Sequence, residues 1–216
     1  MGIVFSSLAH TLRTNLSIQM QLGHVHQLLS AALGYKTYAA FKASKEEAPS
    51  FDDALHVVLD RALIDQRMGE LGYSTPDEHN LLARAIRETF KEHLPEARVY
   101  DDVEHLKDDL FSDIVRDIEN SDSYSSEIAM TNAYGGDFEI DLDEVSPFEE
   151  HEPEWAFTVS GSSSLEQDPD QVYHGDVIDV SATVVFQKVG RRVLGEFEVL
   201  DIGAQIRPEP LDDYQF

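Results

Sequence analysis

Residues 101–145 read DDVEHLKDDLFSDIVRDIENSDSYSSEIAMTNAYGGDFEIDLDEV, and inside this stretch the hydrophobic period changes. Val103, Leu106, Leu110, Ile114 and Ile118 recur at three- and four-residue steps, which predicts an amphipathic helix from Asp102 to about Asn120. Beyond Ile128 the pattern alternates. Ile128, Met130 and Tyr134 lead into Gly135-Gly136, a two-residue hairpin signal, and Phe138, Ile140 and Leu142 then alternate with Asp137, Glu139, Asp141 and Asp143. That is the pattern of a half-buried antiparallel strand with one acidic face. The Ser/Asp-rich segment from Asn120 to Ser126 separates the two periods and predicts a domain boundary.

Upstream, the chain reads as helices. Leu8, Leu12 and Leu16 mark one, and Val25, Leu28, Leu29 and Ala32 mark a second that stops at Gly34. Thr37 caps a short third helix. A box-like Ser50/Asp53 pair predicts a longer one, with Leu55, Val58, Leu59 and Ala62 on its core stripe, ending at Gly72. Thr75-Pro76-Asp77-Glu78 is a capping box with Pro at the first helical position, opening a helix that buries Leu82, Ile86 and Phe90.

Downstream, Trp155, Phe157 and Val159 predict a third strand, and 160–175 a long polar loop. A fourth strand runs from Ile178 to Phe186, and a fifth carries Phe197 and Val199 inward with Glu196 and Glu198 outward. The expected fold is therefore α+β: a helical domain over 1–120, an antiparallel sheet of about five strands over 124–207, and a loose tail over 208–216.

The stretch from Leu28 to Ala43, LLSAALGYKTYAAFKA, resembles a small helical module in bacterial proteins labelled glyoxalase-superfamily. In that module a helix ends in Leu-Gly-aromatic and an aromatic-bearing helix follows. The likeness covers about residues 20–45 and implies a helical start and a bacterial or mobile-element setting. The module's usual Ser-His before the helix is replaced here by Gln21 and Leu22, the glyoxalase metal-ligand pattern is missing downstream, and no activity is carried over.

Charge is the dominant chemical feature. The formal net charge is −26, and 19 acids against two bases, Lys107 and Arg116, fall between Asp101 and Glu154. Residues 1–99 hold 12 acids against 10 bases. Adaptation to high salt would spread the acids evenly, so this concentration points to a localised acidic face. Such a face repels nucleic acid and anionic membranes and attracts basic proteins. The chain has no cysteine, which excludes disulfides and thiolate metal sites, and it lacks a signal-peptide pattern; a cytoplasmic setting is expected.

Other constellations are weaker. Asp168, Asp170, Asp176 and Asp179 could offer hard oxygen ligands to calcium, but Val172 falls where an EF-hand needs its third ligand. Glu149-Glu150-His151-Glu152 reads as a solvated connector. His24 and His26 point about 200° apart on a helix and cannot share an ion. Arg84, Arg87 and Lys91 form a small basic stripe balanced by Glu88 and Glu92. No nucleophile elbow, phosphate loop or cofactor signature is found, so no cofactor and no catalytic residue are assigned.

The expected activity is thus binding. Asp108, Asp109, Asp113 and Asp117 on the helix, Asp137, Glu139, Asp141 and Asp143 on the strand, and Glu196 and Glu198 would engage a basic partner. That partner is expected to be a nucleic-acid-binding protein inhibited by charge mimicry. An enzyme or metal domain built on 168–179, and an immunity or assembly protein shielding a basic partner, are the alternatives. Alternate strand residues space charges ~6.8 Å apart, against ~1.7 Å of axis per charge in duplex DNA. Mimicry of a duplex therefore requires helix and strand acids to converge.

Overall fold

The structure, a computed structural model, describes residues 5–16, 20–44, 51–73, 75–131, 133–149, 152–167 and 177–208. The fold is α+β. Among the described residues the helices are α1 (Phe5–Asn15), α2 (Leu22–Ala32), α3 (Tyr38–Ala43), α4 (Arg61–Glu70), α5 (Pro76–His93), α6 (Val103–Glu119) and α7 (Asp122–Met130). The strands are β1 (His56–Val58), β2 (Arg98–Tyr100), β3 (Ala133–Val145), β4 (Glu154–Gln167), β5 (Val177–Gly190) and β6 (Val193–Ile206), in the sheet order β2-β1-β6-β5-β4-β3. One pair, β1 with β2, is parallel, so the sheet is mixed and has six strands where about five antiparallel ones were expected.

The chain divides into two compact units, each drawing on distant segments. The first comprises 1–106, 147–155 and 186–196; the second comprises 107–146, 156–185 and 197–216.

In the first unit, Leu8, Leu12, Val25, Leu28, Leu29, Ile64, Met68, Leu82, Ile86 and Phe90 meet in one buried core. The predicted stop of α2 is a Schellman motif. Gly34 takes φ 82°, its N–H donates to the carbonyl of Ala31, and Tyr35 N–H donates to that of Ser30, both at 2.9 Å. The capping box of Thr75 and Glu78 forms as expected.

The long helix expected after Ser50 does not form, although Ser50 itself lies outside the described residues. Instead Phe51–Asp53 makes a single 3-10 turn and His56–Val58 is strand β1. All three β1 residues are buried between β2 and β6, and a continuous apolar run with two β-branched valines suits that position better than a one-sided helix. The helix proper, α4, starts only after Asp60, whose Oδ1 accepts from Leu63 N–H at 3.0 Å. Asp60 Oδ2 also meets Arg192 Nη2 at 2.9 Å.

His26, on α2, stacks on Tyr38 with ring centroids 4.6 Å apart and packs near Phe5. Burial, and secondarily the Lys42 ammonium, hold its pKa below the ordinary value of 6.5. The unfolded chain therefore takes up this proton more readily. The stability His26 confers is complete above 6.5 and is lost as pH falls through the lowered folded value. His26→Phe is expected to flatten the fall in thermal midpoint between about pH 8 and about pH 5; an unchanged slope would contradict this assignment.

In the second unit, Leu110, Ile114 and Ile118 of α6 are buried as the sequence predicts. The Ser/Asp-rich break after it is α7: Ser121 caps it, accepting from Tyr124 N–H at 3.2 Å, with Asp122 in the first turn. Ile128 and Met130 thus belong to a helix rather than a strand. Gly135 and Gly136 sit inside β3 rather than at a turn, where the register against β4 shifts between Tyr134 and Gly136. The first half of the expected polar loop is strand, since β4 runs on to Gln167, and 168–175 lie outside the described residues.

Candidate acidic interface

On β3, Phe138, Ile140 and Leu142 point inward, with Ile140 buried and the other two half-buried, while Asp137, Glu139 and Asp141 are exposed. Across the ladder Asp137 pairs with Ser164, Glu139 with Ser162 and Asp141 with Ser160. After a second register shift Glu144 pairs with Thr158. A column of carboxylates therefore lies beside a column of hydroxyls. Opposite-strand hydroxyls avoid the like-charge repulsion that facing acids would incur. Asp143 falls at the shift between Leu142 and Glu144 and is also exposed.

The inner face is covered. Phe157, Val159, Ser163, Ile178, Val180, Ala182 and Val184 are all buried, whereas Ser181 is exposed and Thr158, Ser160, Ser162, Thr183 and Val185 are half-exposed. Tyr124 of α7 reaches this inner face: its hydroxyl meets Ser163 Oγ at 2.7 Å and its ring lies 5.3 Å from that of Phe138. Burial raises the Tyr124 pKa, with the Ser163 hydrogen bond opposing. Glu127 of α7 accepts from Ile206 N–H at 3.1 Å, and Ser123 donates to the Ile202 carbonyl. In the same unit Leu110, Ile114 and Ile118 of α6 are buried, and the acids of that helix lie off this stripe.

Helix acids and strand acids thus sit on different elements, each set beside a buried stripe of its own element. The helix set is also partly neutralised. Arg116 bridges Asp113 at 2.7 Å and Asp117 at 3.5 Å, and the buried Lys107 meets Asp108 at 3.3 Å. Asp108 and Asp109 are exposed; Asp113 and Asp117 are half-buried. By contrast, Asp137, Glu139, Asp141, Asp143, Glu196 and Glu198 form no ion pair among the described residues. Glu196 and Glu198 are both exposed on β6, but Glu196 belongs to the first unit and Glu198 to the second.

The proposed calcium loop is only partly visible. Asp168, Asp170 and Asp176 lie outside the described residues, as do Glu150, His151 and the tail from residue 209. Asp179 is engaged by Arg207 at 3.0 Å, which satisfies it with a cation of the chain itself. Among the described residues no group of three or more His, Asp or Glu is placed to hold a metal. Lys188 donates to the backbone carbonyls of Glu149 and Glu152.

In the first unit two bases of the α5 stripe pair with acids of the chain itself. Arg87 meets Asp101 at 2.7 Å and Lys91 meets Glu88 at 3.7 Å. Arg84 lines a hollow of about 550 Å³ with Asn15, Asn80, Leu81, Ala85 and Glu88, a set without a nucleophile and general base in contact. No described helix is long and apolar enough to cross a membrane.

The hydroxyl column escaped the sequence reading. Its inward partners, Gly161 and Ser163, are small and weakly hydrophobic, so the alternation that betrays a strand fades there. No protein-family model matches this chain, and no curated protein or solved structure matches it either.

Proposed function

We propose that this chain is a non-enzymatic acidic binding protein that engages a basic protein through the open face of the second unit's sheet. The observation that carries the reading is the column of Asp137, Glu139 and Asp141, exposed, flanked by hydroxyls and without a described cation. Carboxylates left in this state keep their full attraction for an incoming Lys or Arg. Nucleic-acid-binding proteins are one class of partner with the required positive surface. The binding mode is narrower than a copy of a duplex, because the helix acids are partly neutralised by Arg116 and Lys107 and the strand spacing of ~6.8 Å is far sparser than duplex phosphates. The likeness of residues 20–45 to bacterial helical modules adds a bacterial or mobile-element setting, inside a cell.

The test compares charge reversal on the strand with charge reversal on the helix. Asp137→Lys/Glu139→Lys/Asp141→Lys is expected to abolish capture of basic proteins from a nuclease-treated lysate, and Asp108→Lys/Asp109→Lys to leave it nearly intact. Capture by the unaltered chain should fall about tenfold or more as ionic strength rises from about 0.01 M to about 0.15 M, over which the Debye length shrinks from ~30 to ~8 Å. Circular dichroism confirms that each variant is folded. Retention of the same proteins by the strand variant, or indifference to salt, would overturn the reading.

A further inference from the structure

We propose that the partner docks by adding a strand to the free edge of β3, and that this strand alternates Lys or Arg with apolar residues. The proposal rests on the acidic-face reading and specifies its geometry. β3 is the last strand of the sheet order, and among the described residues nothing pairs with its outer edge. On an edge strand every second residue directs its N–H and C=O away from the sheet, a ready template for a further strand.

Two features set what fits. The register shifts near Gly136 and Glu144 bound a regular run over Asp137–Leu142, long enough for one ordinary strand. The faces of that run differ: carboxylates at Asp137, Glu139 and Asp141 outward, and half-buried Phe138 and Leu142 inward beside buried Ile140. An added strand would set its outward side chains ~5 Å from the carboxylates and its inward ones against Phe138 and Leu142. Basic residues satisfy the first position and apolar ones the second. A second copy of β3 is the wrong occupant, because self-pairing would lay one carboxylate column directly against another.

The probe is a capped synthetic peptide of alternating Lys and Val, with two further versions N-methylated on every Lys or on every Val. In an added strand one set of N–H groups faces β3 and the other faces solvent. One methylated version should therefore bind about tenfold or more weakly and the other nearly as well as the parent, since only one loses its inter-strand hydrogen bonds. The parent should also slow hydrogen exchange at amides within 137–142. If both methylated peptides bind like the parent, strand addition is wrong and the acidic-face reading stands. If no Lys/Val peptide binds while capture still depends on Asp137, Glu139 and Asp141, strand addition again fails alone. Loss of both results overturns both.

Discussion

Gly161→Ala is expected to detach β3 from the sheet and to destabilise the second unit by about 3 kcal/mol or more, the upper range for overpacking. Gly161 faces Ile140 across the ladder, and a Cβ there would stand 1.9 Å from the Glu139 carbonyl oxygen and 2.7 Å from Ile140 Cα. Both obstacles are backbone, so no rotamer change relieves them; the strand itself must move. Gly136 makes the reciprocal approach from β3, where a Cβ would stand 1.8 Å from the Ser164 carbonyl oxygen. Gly135, with nothing within 4 Å of its would-be Cβ, supplies the control: Gly135→Ala should change stability by less than about 1 kcal/mol. Urea denaturation measures the loss, and hydrogen exchange over 137–142 locates it. The same substitution alters no charge, yet it should weaken capture of basic proteins by disordering the carboxylate column. A Gly161→Ala protein as stable as the parent would show that β3 and β4 are not packed this closely.

Legibility in the sequence followed the strength of the hydrophobic contrast. The stripe of α6 and the inward residues of β3 were readable because strong apolar residues alternate with charges. The caps at Thr37 and Thr75 and the stop at Gly34 were readable because each is a local hydrogen-bonding device. Strand β1 was not, because Leu55 to Leu59 is apolar on both faces except for His56, and such a run carries no period. The pair Gly135-Gly136 misled for a different reason. Glycine serves a tight turn and a close backbone approach equally well, and only the neighbouring strand decides between them.

The candidate site was half legible for the same physical reason. The strand acids announce themselves by alternation, but which layer each acid faces depends on what covers the inner side of the sheet. Tyr124, read from sequence as part of a loop, belongs to the helix that covers it, and its contact with Ser163 explains why β4 carries small residues inward at that point. Arg116 likewise shows only in three dimensions that it neutralises Asp113 and Asp117 and leaves the strand column the stronger attractor.

Asp60→Ala should be the most damaging surface-proximal substitution in the first unit, at about 2–4 kcal/mol. Two losses combine. The cap on α4 disappears, which costs about 1 kcal/mol. Arg192 also loses its carboxylate while remaining confined, with Nη1 3.4 Å from the Leu59 carbonyl, the guanidinium 4.5 Å from the Phe148 ring, and Nε 3.0 Å from where a Cβ on Gly34 would stand. Burial already pushes the Arg192 pKa down, and Asp60 is the main influence opposing it. Breaking a buried pair costs about 3–5 kcal/mol, but side-chain exposures of 18% for Arg192 and 22% for Asp60 leave some access to water and reduce that figure. Asn is as good a cap as Asp, so Asp60→Asn isolates the charge loss from the cap. Adding Arg192→Met should then recover much of the deficit, because the stranded cation goes with it. A double-mutant cycle by urea denaturation reads both effects. If Asp60→Asn costs less than about 0.5 kcal/mol, the pair is a surface contact and contributes little.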